Sequence, residues 1–294
     1  MSIRFNPIEH VVFDFDGTCT DIPAIAENFL RDYHAALNAT VFRDDPISDA
    51  AWRDALEAVR RSSPDAGWTL ETTPSAPAAA DPYILSYEAA QRLRRQRGAT
   101  ENVSAETFKQ ADDANPAPLR PELKTVLGFL QSAGARVTFI SNSSTKKVVR
   151  RLAALFEGSI PDFIGVQSGA SKYKIAEPVV GAAELSEPLL SRFLKLPAAV
   201  DGDGLARPLY LRRAYYASAI DSALAGDGDA LERTLFCGDI WEMDLAMPFH
   251  LGACVHLIER APPYDTYPFE RAAVVRGNER ARASDDLDGL RAWF

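Results

Sequence analysis

The sequence predicts an α/β protein with a doubly wound parallel sheet and a helical domain inserted after the first strand. Two observations carry this prediction. Short apolar runs that end in polar loops alternate with amphipathic helical patterns, and one long segment interrupts the alternation. Alternating strands and helices need crossover connections, which make the strands parallel and place helices on both faces of the sheet.

Three apolar runs have the form of buried strands that lead into polar loops. The runs are Val11–Phe13, Arg136–Ile140 and Thr234–Cys237. Short β-branched runs that stop at glycine or polar residues are typical of parallel strands. Two further runs, Pro161–Val166 and Cys254–Ile258, are predicted strands without evident chemistry. Ligands of such sheets bind beyond the carboxyl ends of the strands, so we expect the three polar loops to converge on one site.

Helical patterns separate these runs. They cover Pro121–Ala133, Thr145–Phe156, Leu185–Leu196 and Glu242–Leu251. Apolar residues recur there every three or four positions, as one face of a helix requires. Gly134 stands where the first of these helices would stop.

Residues 21–115 do not fit the alternation. They contain three amphipathic helical patterns, Ile22–Asn38, Ser48–Arg61 and Tyr83–Arg97, and a loop rich in Pro, Ala and Thr. We therefore predict an α/β core from residues 1–20 and 116–294, and an inserted helical lid from residues 21–115.

Composition and net charge limit the classes of molecule that the protein can bind and the compartment in which it works. The 294 residues carry a formal charge of −9, which repels nucleic acid and anionic membrane surfaces. An anionic substrate would then need a local cation, either a metal ion or a few Lys and Arg side chains. Three cysteines without paired spacing, no signal-peptide layout and no apolar run long enough to cross a bilayer predict a cytoplasmic protein. Whether it forms a homodimer stays open.

The loop after the first strand, Asp-Phe-Asp-Gly-Thr, places Asp14 and Asp16 two residues apart. Phosphoryl transfer through an aspartate needs a carboxylate nucleophile and a second group that protonates the leaving oxygen. Asp14 is the candidate nucleophile and Asp16 the candidate acid/base. The alternative is an ordinary turn at a strand end or a calcium loop.

The other two loops offer a hydroxyl and two carboxylates. Ser141 stands near a helix start, which suits a phosphate oxygen, and a plain helix N-cap is the alternative. Asp239 and Asp244 are oxygen ligands of the kind that Mg²⁺ prefers. We expect Asp14, Asp239 and the backbone carbonyl of Asp16 to ligate the metal, and Asp244 to hold a metal-bound water or orient Asp239. Alternatively, the last two aspartates stabilise the amino end of a helix.

In this order the three loops resemble the signature of the haloacid dehalogenase (HAD) superfamily: strand–DxDGT, strand–Ser/Thr and strand–GDxxxxD. The matching residues are 11–18, 137–143 and 235–244. The resemblance covers a Rossmann-like α/β core, and residues 21–115 stand where the family carries its helical (C1-type) cap.

The resemblance implies Asp14 as a nucleophile that forms an aspartyl-phosphate, Asp16 as acid/base, Ser141 as a phosphate ligand and Asp239 as a magnesium ligand. Dehalogenating relatives lack an aspartate at the position of Asp16, because a halide leaves without a proton. The expected reaction is therefore Mg²⁺-dependent hydrolysis of a small phosphorylated metabolite, a phosphomonoester. A non-catalytic binding or scaffold module, a dehalogenase and a phosphonatase are the alternatives.

The family also implies a basic residue after the third strand, and here the sequence departs from a clean match. Lys172 and Lys174 follow the third predicted strand, whereas Arg213 stands at the start of the helix before the Asp239 strand, which is the usual place. Lys172 and Arg213 remain equal candidates for neutralising the phosphate.

Overall fold

A computed structural model describes residues 7–70, 73–99, 102–175 and 185–294 of the chain. These residues form two units. Unit 1 comprises the described residues of 1–20, 119–260 and 266–294, and unit 2 comprises those of 21–118 and 261–265. Most of unit 2 is therefore inserted between the first and second strands of unit 1.

Unit 1 is built on a parallel sheet whose strand order is β3-β2-β1-β6-β7-β8. The strands are β1 His10–Phe13, β2 Arg136–Ser141, β3 Ile164–Ser168, β6 Thr234–Gly238, β7 Cys254–Ile258 and β8 Ala281–Ser284. The chain builds outward from β1 in one direction and then returns to build from β1 in the other. The order therefore reverses between β1 and β6, where doubly wound sheets bind ligands. This confirms the predicted α/β fold class.

Side chains of the central strands point alternately to the two faces of the sheet. Val11 and Phe13 pack into one apolar cluster, and Val12 packs into the other. The helices of unit 1 are α5 Leu123–Ser132, α6 Thr145–Leu155, α7 Glu187–Lys195, α8 Ala214–Ala223, α9 Ala246–Leu251 and α10 Pro268–Gly277. Helices α5 and α6 cover the first face, and α7–α10 cover the second. A strand buried on both faces explains why these runs are continuously apolar.

Several boundaries differ from the sequence-based expectation. Strand β3 begins later than predicted, because residues 161–164 form a turn in which the Ile164 N–H donates to the Pro161 carbonyl. The edge strand β8 was not predicted, since it has four residues and only the first of them, Ala281, is buried. Nor was the two-stranded antiparallel pair formed by β4 Ala199–Val200 and β5 Leu209–Tyr210. The predicted 242–251 helix starts as a π-turn over Trp241–Leu245 before α9.

Among its described residues, unit 2 contains four α-helices: α1 Ala26–Ala39, α2 Asp49–Ser62, α3 Pro82–Gln96 and α4 Ala105–Ala114. Its own apolar core includes Phe29, whose ring stacks on Tyr33 at 5.8 Å and meets Phe108 edge-on at 5.5 Å. The sequence patterns predicted the first three helices and missed α4. Among the described residues, none of the helices is both long and apolar enough to cross a membrane.

Two buried histidines of the sheet are expected to make folding pH-dependent. Burial lowers the pKa of both His10 and His256 from 6.5 to about 4, with Arg136 and Arg282 adding to the effect. His256 accepts from the Trp293 indole and contacts Ser284, an arrangement that suits neutral imidazole.

Below pH 6.5 the unfolded chain binds protons at these histidines and the folded chain does not. Their contribution to the free energy of unfolding is therefore complete above pH 6.5 and is lost as the pH falls toward 4. Each histidine should contribute a loss of about 2 kcal/mol between pH 7 and pH 5. Urea unfolding at both pH values checks this, and His256→Gln should show a shallower dependence. An unchanged slope in that variant would contradict the assignment.

Candidate active site

The site is assembled where β1, β2 and β6 end. The Asp14 N–H donates to the Cys237 carbonyl at 2.8 Å, which carries the β1–β6 pairing one residue beyond β1. Asp14 therefore lies beside the loop that begins at Gly238. The sheet positions the carboxylates of two distant sequence segments next to each other, as the convergence of the loops predicted.

The turn after Asp14 depends on glycine. Gly17 has a φ of +90°, and a Cβ built on it would lie 2.6 Å from Oδ2 of Asp239. The next residue, Thr18, is fully buried, and its hydroxyl lies 3.1 Å from Oδ2 of Asp14 and 3.0 Å from Oδ1 of Asp239. The turn thus brings the two carboxylates close enough to share one hydroxyl.

Lys172 lies between two of the carboxylates. Its Nζ is 2.6 Å from Oδ1 of Asp14 and 2.9 Å from Oδ1 of Asp244, and the side chain is buried. Burial by itself would lower the pKa of the ammonium, but the two carboxylates outweigh it and raise the pKa above its usual value. The lysine is therefore a fixed positive charge in the site.

Asp14 is a weaker acid than an ordinary aspartate. Burial raises its pKa to about 7, the negative charge of Asp244 adds to the rise, and Lys172 opposes it. A further positive charge at these oxygens would favour the ionised form.

Asp14, Asp239 and Asp244 each offer an oxygen, and these three atoms lie within 4.8 Å of one another. In the described part of the chain they form the single cluster of acidic, histidine or cysteine side chains with this spacing. Asp244 also accepts from the Ile240 N–H at 3.1 Å, so both its oxygens have protein partners. The Cβ of Asp244 packs closely on Gly238. A side chain at position 238 would overlap Asp244, so only glycine fits there.

Asp16 lies on a more open side of the site. Its side chain is 20% exposed, against 10% for Asp14. Ser143 donates to Oδ2 of Asp16 at 2.5 Å, and Nζ of Lys147 lies 3.4 Å from Oδ1. The second carboxylate is thus held by the β2 loop and the first turn of α6.

Ser141 ends β2 with its side chain buried, and its hydroxyl accepts from the Ser143 N–H at 3.0 Å. The N-cap of α6 is Ser144, not Ser141. The competing interpretation of Ser141 as a plain helix cap is therefore wrong.

The structure distinguishes the two basic candidates. Lys172 provides the ammonium that contacts Asp14, whereas Nη1 of Arg213 donates to the backbone carbonyl of Lys172 at 2.5 Å. Arg213 is fully buried at the start of α8. Lys174 lies over the ring of Tyr215 at 5.0 Å.

Sequence reasoning missed the residues that hold the loop at Asp239. Arg260 donates to the carbonyl of Asp239 and pairs with the buried Glu270, which also accepts from the Trp241 N–H at 3.0 Å. These two residues lie far along the chain from the motif, and no local pattern marks them. Ser143 and Lys147 carried a signal, because they belong to the polar loop and helix start already singled out.

Comparison with known proteins agrees with this architecture. A family model described as haloacid dehalogenase-like hydrolase matches residues 8–200, and the chain belongs to that family. It is a HAD hydrolase. No curated protein matches the sequence.

Solved structures of similar fold include a predicted phosphoglycolate phosphatase from Haemophilus somnus 129PT (16% identity, 97% of each chain, TM-score 0.49). Magnesium-bound YfnB from Bacillus subtilis, described as a HAD hydrolase, is another (12% identity, 98% of each chain, TM-score 0.51). A third is a 2-haloacid dehalogenase from Pseudomonas syringae pv. tomato DC3000 (14% identity, 97% of each chain, TM-score 0.41). At these identities the likeness concerns the fold alone.

Proposed function

We propose that the protein hydrolyses a small phosphomonoester with Mg²⁺, through an aspartyl-phosphate on Asp14. The observation that carries this proposal is the second carboxylate, Asp16, held by Ser143 on the open side of a site whose nucleophile candidate already has a lysine partner. An alkoxide leaving group needs a proton, whereas a halide does not. A positioned second carboxylate therefore favours phosphate ester chemistry over dehalogenation.

In the proposed first step a carboxylate oxygen of Asp14 bonds to phosphorus while the bond from phosphorus to the ester oxygen breaks. Asp16 in its acid form gives its proton to that oxygen, and the alcohol leaves. In the second step Asp16, now a carboxylate, takes a proton from a water whose oxygen attacks phosphorus. The bond to Asp14 breaks, and inorganic phosphate is released.

Lys172 orients Asp14 for this attack and offsets its negative charge, because its Nζ is fixed between two carboxylates in a buried position. Ser141 would offer its hydroxyl and the polar loop behind it to the phosphate oxygens.

The acidic residues fit a magnesium ion. Three carboxylate oxygens within 4.8 Å of one another carry more negative charge than the single ammonium of Lys172 offsets, and Mg²⁺ prefers oxygen ligands of this kind. When bound, the ion would neutralise charge on the transferred phosphoryl group. Asp14, Asp239 and the backbone carbonyl of Asp16 would hold it, whereas Asp244, whose oxygens already bind Lys172 and Ile240, would act beside it.

Hydrolysis of a generic aryl phosphate tests the function. The purified protein should release the phenol in the presence of Mg²⁺ and lose the activity in excess chelator, and a 2-haloacid should remain intact. Activity that survives chelation would contradict the metal dependence, and turnover of the haloacid would contradict the reaction class. The assignment of unit 2 as a lid that selects the metabolite stays a prediction from its place in the chain.

Beryllium fluoride together with Mg²⁺ should inhibit and stabilise the protein, because the pair mimics a phosphoryl group on an aspartate. Binding to the folded state alone stabilises it by about 2.7 kcal/mol at a hundredfold excess over Kd. Differential scanning fluorimetry measures the shift in Tm, and Asp14→Asn is the matched control that should show none. An unshifted wild-type Tm at saturating ligand would count against an aspartyl-phosphate.

A further inference from the structure

The motifs do not include Arg213, which contacts Lys172, or the buried pair of Arg207 and Glu242. Nη1 and Nη2 of Arg207 donate to the two carboxylate oxygens of Glu242, at 2.8 and 2.7 Å, and Glu242 is fully buried. Glu242 is also the charge that most opposes the effect of burial on Arg213, whose pKa burial lowers. Arg213 in turn donates to the backbone carbonyl of Lys172. Arg207 thus binds Glu242, and Arg213 separately binds the backbone of the lysine in the site.

The backbone of Lys172 is held by side chains on both sides. Its N–H donates to Oδ1 of Asn142 at 2.8 Å, and its carbonyl accepts from Arg213 at 2.5 Å. Lys172 itself lies in a turn after β3, outside any helix or strand, and the preceding Ser171 has a φ of +44°. No ladder of regular hydrogen bonds therefore fixes this position, and side-chain contacts must do so.

We propose that Arg213 is a positioning residue of the reaction, acting only through Lys172. This rests on the proposed function. It also gives a part in the site to the segment that ends at Arg213, which the family signature does not explain. Arg213 holds the lysine's backbone so that Nζ meets Asp14 and Asp244 together.

A double-mutant cycle tests the proposal with the aryl phosphate and Mg²⁺. Arg213→Met should lower kcat roughly 10- to 100-fold, as loss of a residue that orients a reacting group does. In a Lys172→Met background the same change should lower kcat less than about twofold, because the group it positions is gone. An equal loss in both backgrounds would overturn the proposal, since it would show that Arg213 acts independently of Lys172.

The control is Arg212→Met, which removes the same charge one residue away. Arg212 donates to the Leu196 carbonyl rather than to Lys172, so kcat should stay within about twofold of wild type. A loss equal to that of Arg213→Met would assign the effect to the segment as a whole and overturn the proposal. If Arg213→Met does not fold, Arg213→Lys retains the buried charge and replaces it in the cycle.

A crystal structure of the Arg213 variant supplies a readout that does not need activity. Nζ of Lys172 should lose one of its contacts, at 2.6 Å to Asp14 or at 2.9 Å to Asp244. Retention of both distances would overturn the proposal. Should the wild type fail to hydrolyse the aryl phosphate, the proposed function fails, and the position of Nζ alone still decides whether Arg213 places the lysine.

Discussion

Asp14→Asn is expected to abolish turnover and leave the fold intact. The amide has the same shape, so it can keep contacts with Lys172 and with the Thr18 hydroxyl. It loses the oxygen nucleophile and the charge that holds a cation. We expect kcat for the aryl phosphate to fall at least about 1,000-fold, a change of roughly 4 kcal/mol in the barrier.

The comparison needs a folded variant and a neutral control. Circular dichroism of Asp14→Asn should superimpose on that of wild type, and Asp44→Asn, on an exposed residue of unit 2, should keep full activity. Asp14 would have to be removed from the nucleophile's role if the variant kept activity within tenfold of wild type, a loss of less than ~1.4 kcal/mol.

The parts of the fold and site that the sequence predicted are those with a local signal. β1, β2 and β6 are buried on both faces, so each is a continuous apolar run, and the polar loop that follows each run marks the carboxyl end of a strand. Because those ends share one edge of a parallel sheet, the meeting of Asp14, Asp239 and Asp244 could be expected from topology alone.

The choice between Lys172 and Arg213 could not be made from the sequence. Both follow the third strand, and both are buried. Lys172 contacts Asp14, and Arg213 contacts the backbone carbonyl of Lys172. The chain between them includes, among its described residues, a pair of two-residue strands. Elements that short leave no periodic pattern, so no pattern could show that Lys172 turns inward.

The residues that hold the loop at Asp239 could not be predicted from the sequence either. Arg260 and Glu270 form a buried pair whose value lies in the backbone groups it holds, the carbonyl of Asp239 and the N–H of Trp241. Neither residue stands in a motif, and a charged residue in an amphipathic segment is more often exposed. Burial, which only the folded chain reveals, separates these residues from ordinary surface charges.

Lys172→Met is expected to cause the largest combined loss of activity and stability. The lysine is the ammonium between Asp14 and Asp244, and all three side chains are at least nine-tenths buried. Removing one partner of a buried ion pair leaves uncompensated charge and costs about 3–5 kcal/mol of unfolding free energy. We expect kcat to fall about 100- to 1,000-fold as well, because a fixed charge beside the reacting oxygen is lost.

The pH dependence of that stability loss identifies its cause. The pKa of Asp14 is already raised to about 7 by burial, and Lys172 opposes the rise, so the variant should raise it further. A carboxyl whose folded pKa exceeds its unfolded value binds more protons when folded, and stability then falls as pH rises toward the folded pKa. Urea unfolding without Mg²⁺ should therefore show a larger loss of unfolding free energy in the variant at pH 8 than at pH 6, and Mg²⁺ should restore part of it by replacing the missing positive charge.

Lys174→Met, which removes a lysine stacked on Tyr215, is the control and should change stability by less than about 0.5 kcal/mol. A deficit of equal size at both pH values, unmoved by Mg²⁺, would mean that Lys172 stabilises the protein by packing and not by offsetting the carboxylates.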